Sequence, residues 1–268
     1  MPVTLLAFDL DGTLVRTEAL KATSYADAAA DLRPSIDRPA VEAAYADLVG
    51  YSRERITRTL LDAFHLAPEA EAQAPDAEPW RTYVALRLAR YRAMLEDAAL
   101  VRRNTWEHAV GLLRDARDLA DRVALVTTSE RWAADLVIRA MGWDAAFDTI
   151  VTADDVAAVK PDPAGYRLAM DRLGVTPERT LAVEDSPSGV RAALAAGIRP
   201  LVVPTPFTRA RTHQLVEAGQ LNPADILTPE ALGDTARRRL AEMGARPLAH
   251  GAGGGGARRG DRPSPARR

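Results

Sequence analysis

Short apolar runs alternate with helical segments in the second half of the chain, and this alternation constrains the fold more than any other feature. Four such runs are present, at 123–126, 149–152, 180–183 and 200–203. Helical periodicity follows each in turn, near 130–141, 163–173, 187–196 and 208–219, and a short strand at 226–227 precedes a last helix near 229–243. Strands that alternate with helices predict a parallel sheet covered by helices on both faces.

A further apolar run at residues 3–8 predicts a first strand that ends at Asp9-Leu10-Asp11-Gly12-Thr13. Residues 17–120 show only helical periodicity, with helices predicted near 17–32, 38–49, 52–66, 79–97 and 105–120. We therefore predict a doubly wound, Rossmann-like α/β core built from residues 1–16 and 100–243, with an α-helical cap at 17–99 inserted after the first strand. Residues 244–268, rich in Gly, Arg and Pro, are predicted to be disordered.

The composition excludes several classes of function. The absence of cysteine rules out disulfides, thiol catalysis and thiolate metal sites, and the four histidines lack the close spacing typical of zinc ligands. A net charge of −2 does not favour nucleic acid binding, and the first apolar run is too short for a signal or a membrane span. We expect a cytoplasmic protein with no nucleic acid or membrane partner, and we favour a monomer because such caps close by hinge motion.

Only two of the 35 basic residues are lysines, Lys21 and Lys160, and the rest are arginines. A compact ammonium differs chemically from the guanidinium fork, so a lysine retained among arginines suggests a specific task. Chance is the alternative, and it carries more weight for Lys21 than for Lys160, which lies in a motif.

Polar side chains follow three of the predicted strands, namely Asp9, Thr127 and the pair Glu184-Asp185. Parallel sheets bind ligands at the carboxyl ends of their strands, so these residues are expected to meet. Hydrolysis of a phosphate monoester needs a nucleophile, an acid for the leaving alkoxide, a cation, and donors to the phosphoryl oxygens. Asp9 can attack phosphorus, and Asp11 can protonate the leaving group. By itself, the Asp-x-Asp-Gly-Thr string is also compatible with a metal loop or a capping turn.

The remaining requirements have candidates in chain order. The hydroxyl of Thr127 can donate to a phosphoryl oxygen, and Lys160 can offset the gathered negative charge. Glu184 and Asp185 offer the hard oxygen ligands that Mg²⁺ prefers.

These motifs resemble, in order, the four motifs of the haloacid dehalogenase superfamily: Asp9-Leu10-Asp11-Gly12-Thr13, Thr127, Lys160-Pro161 and Glu184-Asp185-Ser186. Residues 181–197 resemble the branch that contains phosphoglycolate phosphatases and β-phosphoglucomutases. The resemblance extends over residues 3–203, and the long helical insertion between the first two motifs is similar to the small α-helical cap of that branch.

The resemblance implies a mechanism. Asp9 would be the nucleophile that forms an aspartyl-phosphate, and Asp11 the general acid and base. Mg²⁺ would be bound by Asp9, the backbone carbonyl of Asp11, and Asp185, with Glu184 contacting the ion directly or through water. The founding dehalogenases lack the second aspartate, so Asp11 argues against halide displacement.

The resemblance also suggests residues that hold the substrate. Thr127 and Lys160 would hold the phosphoryl group and the nucleophile, and Thr128 is a candidate substrate contact. Arg53 resembles a cap-loop arginine that contacts a distal phosphate, and Arg87 stands where relatives often place a lysine. An arginine on a helix is nevertheless often only solvated.

Two positions depart from the family pattern. Arg16 replaces a commonly acidic residue, so a substrate or hinge contact can differ there. Lys21 replaces the histidine that mutases place near the acid/base aspartate; with an ordinary pKa near 10.4, a lysine is a poor proton shuttle but a good anchor for an anion. We therefore predict a phosphatase for a small metabolite such as a sugar phosphate. A β-phosphoglucomutase-type phosphomutase is the alternative, and a catalytically silent regulatory or binding protein is the third.

Overall fold

Five parallel strands form the central sheet of the computed structural model, which describes residues 3–244. In chain order they are β1 (Leu5–Phe8), β2 (Arg122–Val126), β3 (Thr149–Val151), β4 (Thr180–Glu184) and β5 (Arg199–Val202). Their order across the sheet is β3-β2-β1-β4-β5, and every neighbouring pair is parallel. The predicted doubly wound α/β fold is confirmed.

The sheet is covered on both faces, and this explains why its central strands are uniformly apolar. Every residue of β1 and β4 is buried. Leu6 and Phe8 belong to one hydrophobic cluster, whereas Leu5 and Ala7 belong to another. Because successive side chains of a strand point to opposite faces, the two clusters are the two layers of core on either side of the sheet.

The helices among the described residues are α1 (Thr17–Leu32), α2 (Arg38–Ala46), α3 (Arg53–Phe64), α4 (Ala67–Gln73), α5 (Pro79–Glu96), α6 (Ala98–Arg103), α7 (Glu107–Leu119), α8 (Arg131–Met141), α9 (Ala164–Leu173), α10 (Pro187–Ala195), α11 (Arg209–Glu217) and α12 (Leu232–Glu242). Helices α1 to α5 lie between β1 and β2 in the chain and share a hydrophobic cluster of their own, which includes Tyr25, Leu60 and Tyr83. These helices form the predicted cap. Helix α6 runs across the predicted limit at residue 99, and the exact domain boundaries stay a prediction.

Local structure differs from the sequence-based expectation in a few places. The short helices α4 and α6 were not expected; α6 is capped by Asp97, whose side chain accepts a hydrogen bond from the backbone N–H of Leu100. The predicted strand at 226–227 is reduced to one isolated bridge, from Ile226 to Val202, because 3₁₀ turns at Pro223–Asp225 and Pro229–Ala231 bracket the segment.

Two further expectations concern membrane spans and the C-terminal tail. No helix in the described part of the chain is both long and apolar enough to cross a bilayer. The tail predicted to be disordered lies outside the described residues, apart from Gly244.

Candidate active site

The carboxyl edge of the sheet brings the predicted catalytic residues together. Asp9 follows β1 and Thr127 follows β2, while Glu184 ends β4 and Asp185 follows it. Because β1 lies between β2 and β4, the three strand ends are adjacent. The backbone N–H of Asp9 donates to the carbonyl oxygen of Val183 at 3.0 Å, which continues the β1–β4 pairing up to Asp9.

Lys160 links the strand ends. Its Nζ lies 2.7 Å from Asp9 Oδ1, from Glu184 Oε1 and from the carbonyl oxygen of Val126. These three acceptors satisfy the three donors of the ammonium group. Burial alone would lower the pKa of Lys160, but the charges of Asp9 and Glu184 outweigh it and hold that pKa above its ordinary value. Lys160 is therefore a permanent buried cation.

Three carboxylates form a site that fits a divalent cation. One oxygen each from Asp9, Glu184 and Asp185 lies within 4.8 Å of the others, and all three residues are buried. Glu184 Oε2 and Asp185 Oδ1 are buried and accept no hydrogen bond within residues 3–244. Buried acceptors without a donor are costly, and hard oxygen atoms of this kind are the ligands that Mg²⁺ takes. The residues present therefore fit the predicted ion.

The same crowding of negative charge perturbs the acidity of the site. Burial raises the pKa of Asp9 from 3.8 to about 7, with Lys160 opposing the shift and Glu184 adding to it. Burial, followed by the charges of Glu18 and Asp9, raises the pKa of Asp185 well above its usual range. A cation between these groups would favour their ionised forms.

Two glycines allow the carboxylates to lie this close to the backbone. Gly12 has φ +86°, and a Cβ there would lie 2.5 Å from Asp185 Oδ2. At Gly189, in the first turn of α10, a Cβ would overlap the carboxylate of Glu184. The side chain of Ser186 caps this helix by accepting from the N–H of Gly189.

The carboxylate of Asp11 lies outside the group formed by Asp9, Glu184 and Asp185, and it contacts side chains of both the cap and the core. Lys21 Nζ donates to its Oδ1 at 2.9 Å, and Thr127 donates to its Oδ2 at 3.2 Å. The hydroxyls of Thr17 and Ser129 also donate to it. Burial alone would raise the pKa of Asp11, but the Lys21 charge and these hydrogen bonds hold it well below its usual range. Lys21, predicted as an anchor for a substrate anion, is thus engaged by Asp11.

A cavity of about 490 Å³ lies above the strand ends and is lined by both core and cap. Arg87 is only 5% exposed, and its guanidinium lies over the rings of Tyr25 and Tyr91, 5.0 and 4.5 Å from their centroids. Within the described residues no carboxylate pairs with Arg87, and its Nε has no hydrogen-bond partner.

Two other predicted substrate contacts line the same cavity. Arg53 starts α3 and forms an exposed ion pair with Glu130 at 3.3 Å, between cap and core. Thr128 is an exposed lining residue. By contrast, Arg16 does not line the cavity, and its guanidinium lies 4.3 Å from the ring centroid of Trp106.

Sequence reasoning missed several residues that contact or adjoin the site, Thr17 among them. The hydroxyl of Tyr166 donates to Glu184 Oε1 at 2.6 Å, and Thr208 donates to Asp185 Oδ2 at 3.3 Å. Ser129 follows Thr127 by two residues, so its place beside a strand end could have been found. Glu18 carried a weaker signal, an acidic residue at the start of the cap helix predicted near 17–32.

Comparisons with known proteins find relatives over most of the chain. The family model that matches, described as haloacid dehalogenase-like hydrolase, covers residues 3–197. The protein CbbY of Cereibacter sphaeroides is 32% identical over 239 residues, 84% of this chain and 98% of the relative. The phosphoglycolate phosphatase of Rhodospirillum rubrum is 32% identical over 207 residues, 75% and 80% of the two chains. The crystal structure of β-phosphoglucomutase from Clostridium difficile covers 90% of this chain and 98% of its own, with a TM-score of 0.63 and 18% identity, and shows the shared fold alone.

Proposed function

Because the chain belongs to the haloacid dehalogenase-like hydrolases and is a phosphatase of that family, we propose that it hydrolyses a small phosphorylated metabolite through an aspartyl-phosphate on Asp9, with Mg²⁺ as cofactor. One observation carries this proposal: Lys160 bridges Asp9 and Glu184, at 2.7 Å from each, beside two buried carboxylate oxygens that lack a donor. This arrangement combines a nucleophile, a fixed cation and vacant ligand atoms at one point.

In the proposed reaction, Asp9 attacks phosphorus. Its Oδ1 is held by Lys160, while its Oδ2 accepts no hydrogen bond within residues 3–244 and is free to form the new P–O bond. The ester oxygen leaves with a proton from Asp11. Water, deprotonated by Asp11, then attacks the phosphorus, so that inorganic phosphate is released and the Asp9 carboxylate is restored.

The proposed ligands of Mg²⁺ are Asp9, Asp185, the backbone carbonyl of Asp11, and Glu184 directly or through water. When bound, the ion would supply positive charge to the phosphoryl oxygens. Lys160 and Thr127 would hold the phosphoryl group and the nucleophile in position, and the burial of both side chains limits the entry of competing water.

In this proposal, Lys21 controls the protonation state of Asp11. The ion pair keeps Asp11 ionised, which suits its role as the base in the second step. A substrate anion that draws the ammonium toward itself would weaken the ion pair and raise the pKa of Asp11 toward the value that an acid needs. Lys21 would thus contact the substrate and tune the acid at the same time.

The cap side of the cavity supports a substrate that carries a second polar or anionic group. Arg87 is a buried cation without a carboxylate partner, and it would bind an anion at low desolvation cost. Arg53 and Thr128 would contact the outer end of the substrate. The aromatic rings of Tyr25, Tyr91 and Trp132 offer flat surfaces to a sugar or a similar ring.

The decisive experiment measures phosphate release from p-nitrophenyl phosphate and from a panel of phosphorylated metabolites, with and without Mg²⁺. The wild type should turn over only with the ion, and Asp9→Asn should fall to background. Equal rates for the two proteins would refute the Asp9 mechanism, and background rates in both would favour a catalytically silent protein. Conversion of a hexose 1-phosphate to its 6-phosphate without phosphate release would establish the mutase instead.

A further inference from the structure

Glu18 is a buried carboxylate that the proposed mechanism does not use. It is the second residue of α1, its side chain is 8% exposed, and it lines the cavity. The only hydrogen-bond donor that reaches its carboxylate within residues 3–244 is its own backbone amide. Lys21, one turn further along α1, donates to Asp11 and not to Glu18.

The carboxylate of Glu18 faces the group of carboxylates formed by Asp9, Glu184 and Asp185. A Cβ placed on Gly12 would lie 3.0 Å from Glu18 Oε1 and 2.5 Å from Asp185 Oδ2, so both oxygens flank the same point. They are close enough for one water molecule to bridge them. The effect on Asp185 agrees, because Glu18 is the largest cause of its raised pKa after burial itself.

The charge of Lys21 opposes the burial of this anion only in part, and a buried carboxylate with so few donors gains from donors outside the protein. Mg²⁺ keeps several of its water ligands when proteins bind it, and each of those waters is a strong donor. Carboxylates that accept from such waters commonly raise metal affinity without contacting the ion.

We propose that Glu18 belongs to the metal site: its carboxylate accepts hydrogen bonds from water bound to the Mg²⁺ ion that Asp9, Glu184 and Asp185 hold, and thereby sets the affinity for that ion. The inference rests on the proposed Mg²⁺ dependence. It assigns to Glu18 a positioning role, since the residue contacts neither the substrate nor the metal.

The test measures Mg²⁺ binding to the full-length protein by calorimetry, together with the melting temperature of the metal-free and Mg²⁺-loaded forms. Glu18→Gln keeps the shape and removes the charge. Glu217→Gln, at the exposed end of α11, is the control for the same change in net charge. We expect Glu18→Gln to weaken Mg²⁺ binding by about 10-fold or more, and the control to bind as the wild type does.

The metal-free melting temperature separates this role from a structural one. Glu18→Gln removes a poorly compensated buried charge. The metal-free variant should therefore be as stable as the wild type or more stable, while the rise in melting temperature on adding Mg²⁺ should be smaller. Unchanged Mg²⁺ affinity overturns the proposal, and so does weaker affinity accompanied by a lower metal-free melting temperature. A wild type that binds no Mg²⁺ would instead refute the proposed metal dependence itself.

Discussion

The ammonium of Lys21 lies 2.9 Å from Oδ1 of Asp11, and this ion pair connects the cap to the residue proposed to carry the proton. Lys21 lies on α1, the first helix of the cap, whereas Asp11 lies in the loop that follows the first strand. Both residues line the cavity. The charge state of the proposed acid and base therefore depends on a cap residue.

The first prediction concerns the pH dependence of the reaction in Lys21→Gln. Burial raises the pKa of Asp11, and Lys21 is the largest of the effects that lower it. Removing this charge should raise that pKa. Activity that needs a protonated Asp11 should then extend to higher pH, which the profile of kcat/KM for p-nitrophenyl phosphate measures. Lys21→Arg keeps the charge and should keep the wild-type limb; an unmoved limb in Lys21→Gln would contradict the assignment.

The second prediction concerns the stability of the metal-free protein. The pKa of Asp9 and that of Glu18 are each raised to about 7, from 3.8 and 4.5. Between about pH 4 and 7 the folded state thus binds more protons than the unfolded state, so the free energy of unfolding falls as pH rises through this window. The lowered pKa of Asp11 has the opposite sign but acts only below this window.

The melting temperature should therefore be higher at pH 5 than at pH 8 in the presence of a chelator, by at least about 2–4 °C. Mg²⁺ should remove most of this difference, because it compensates the ionised carboxylates. Asp9→Asn is the matched variant, and its difference between the two pH values should be smaller. A melting temperature that rises from pH 5 to pH 8 without metal would contradict the prediction.

The third prediction concerns Gly189→Ala. The added Cβ would overlap the Glu184 carboxylate, so this side chain must leave its contacts with Lys160 and Tyr166. We expect a loss of about 1–3 kcal/mol in the free energy of unfolding and a large fall in kcat. Urea titration and p-nitrophenyl phosphate turnover measure the two effects.

Gly111→Ala is the control for that substitution. Gly111 lies inside α7 with nothing within 4 Å of an added Cβ, so alanine there should stabilise by up to about 1 kcal/mol and leave turnover unchanged. If both variants behave alike, the close approach of Gly189 to Glu184 has no functional consequence.

The fourth prediction concerns Arg87→Met. The loss of a buried cation should lower kcat/KM about 10–100-fold for substrates that carry a second anionic group, as expected for a charged hydrogen bond of about 1.5–3 kcal/mol. Turnover of p-nitrophenyl phosphate, which lacks such a group, should change little. Arg81→Met, on the same helix but outside the cavity, is the control. Equal losses on all substrates would assign Arg87 a structural role.

Much of the catalytic edge could be predicted because it depends on local signals. Apolar runs mark the strands, and the residue after each run lies at a carboxyl end in any parallel sheet. Asp9, Thr127 and Glu184 therefore meet once the strand order is known. The short helices α4 and α6 and the single bridge at Ile226 escaped prediction, because segments this short depend on capping and on neighbouring structure.

The sequence by itself determined the parallel α/β core, the inserted helical cap and the meeting of Asp9 with Lys160 and Asp185, since these follow from periodicity, strand direction and motif order. Only the tertiary structure decided that Lys21 pairs with Asp11, that Arg87 is buried without a carboxylate, and that Glu18 faces Asp185. The physical reason is that these contacts are made between separate elements: Lys21 and Glu18 reach the core from the cap, and Arg87 is covered by rings on two cap helices. Which charges face each other depends on how the helices pack on their neighbours, and hydrophobic periodicity does not specify that packing.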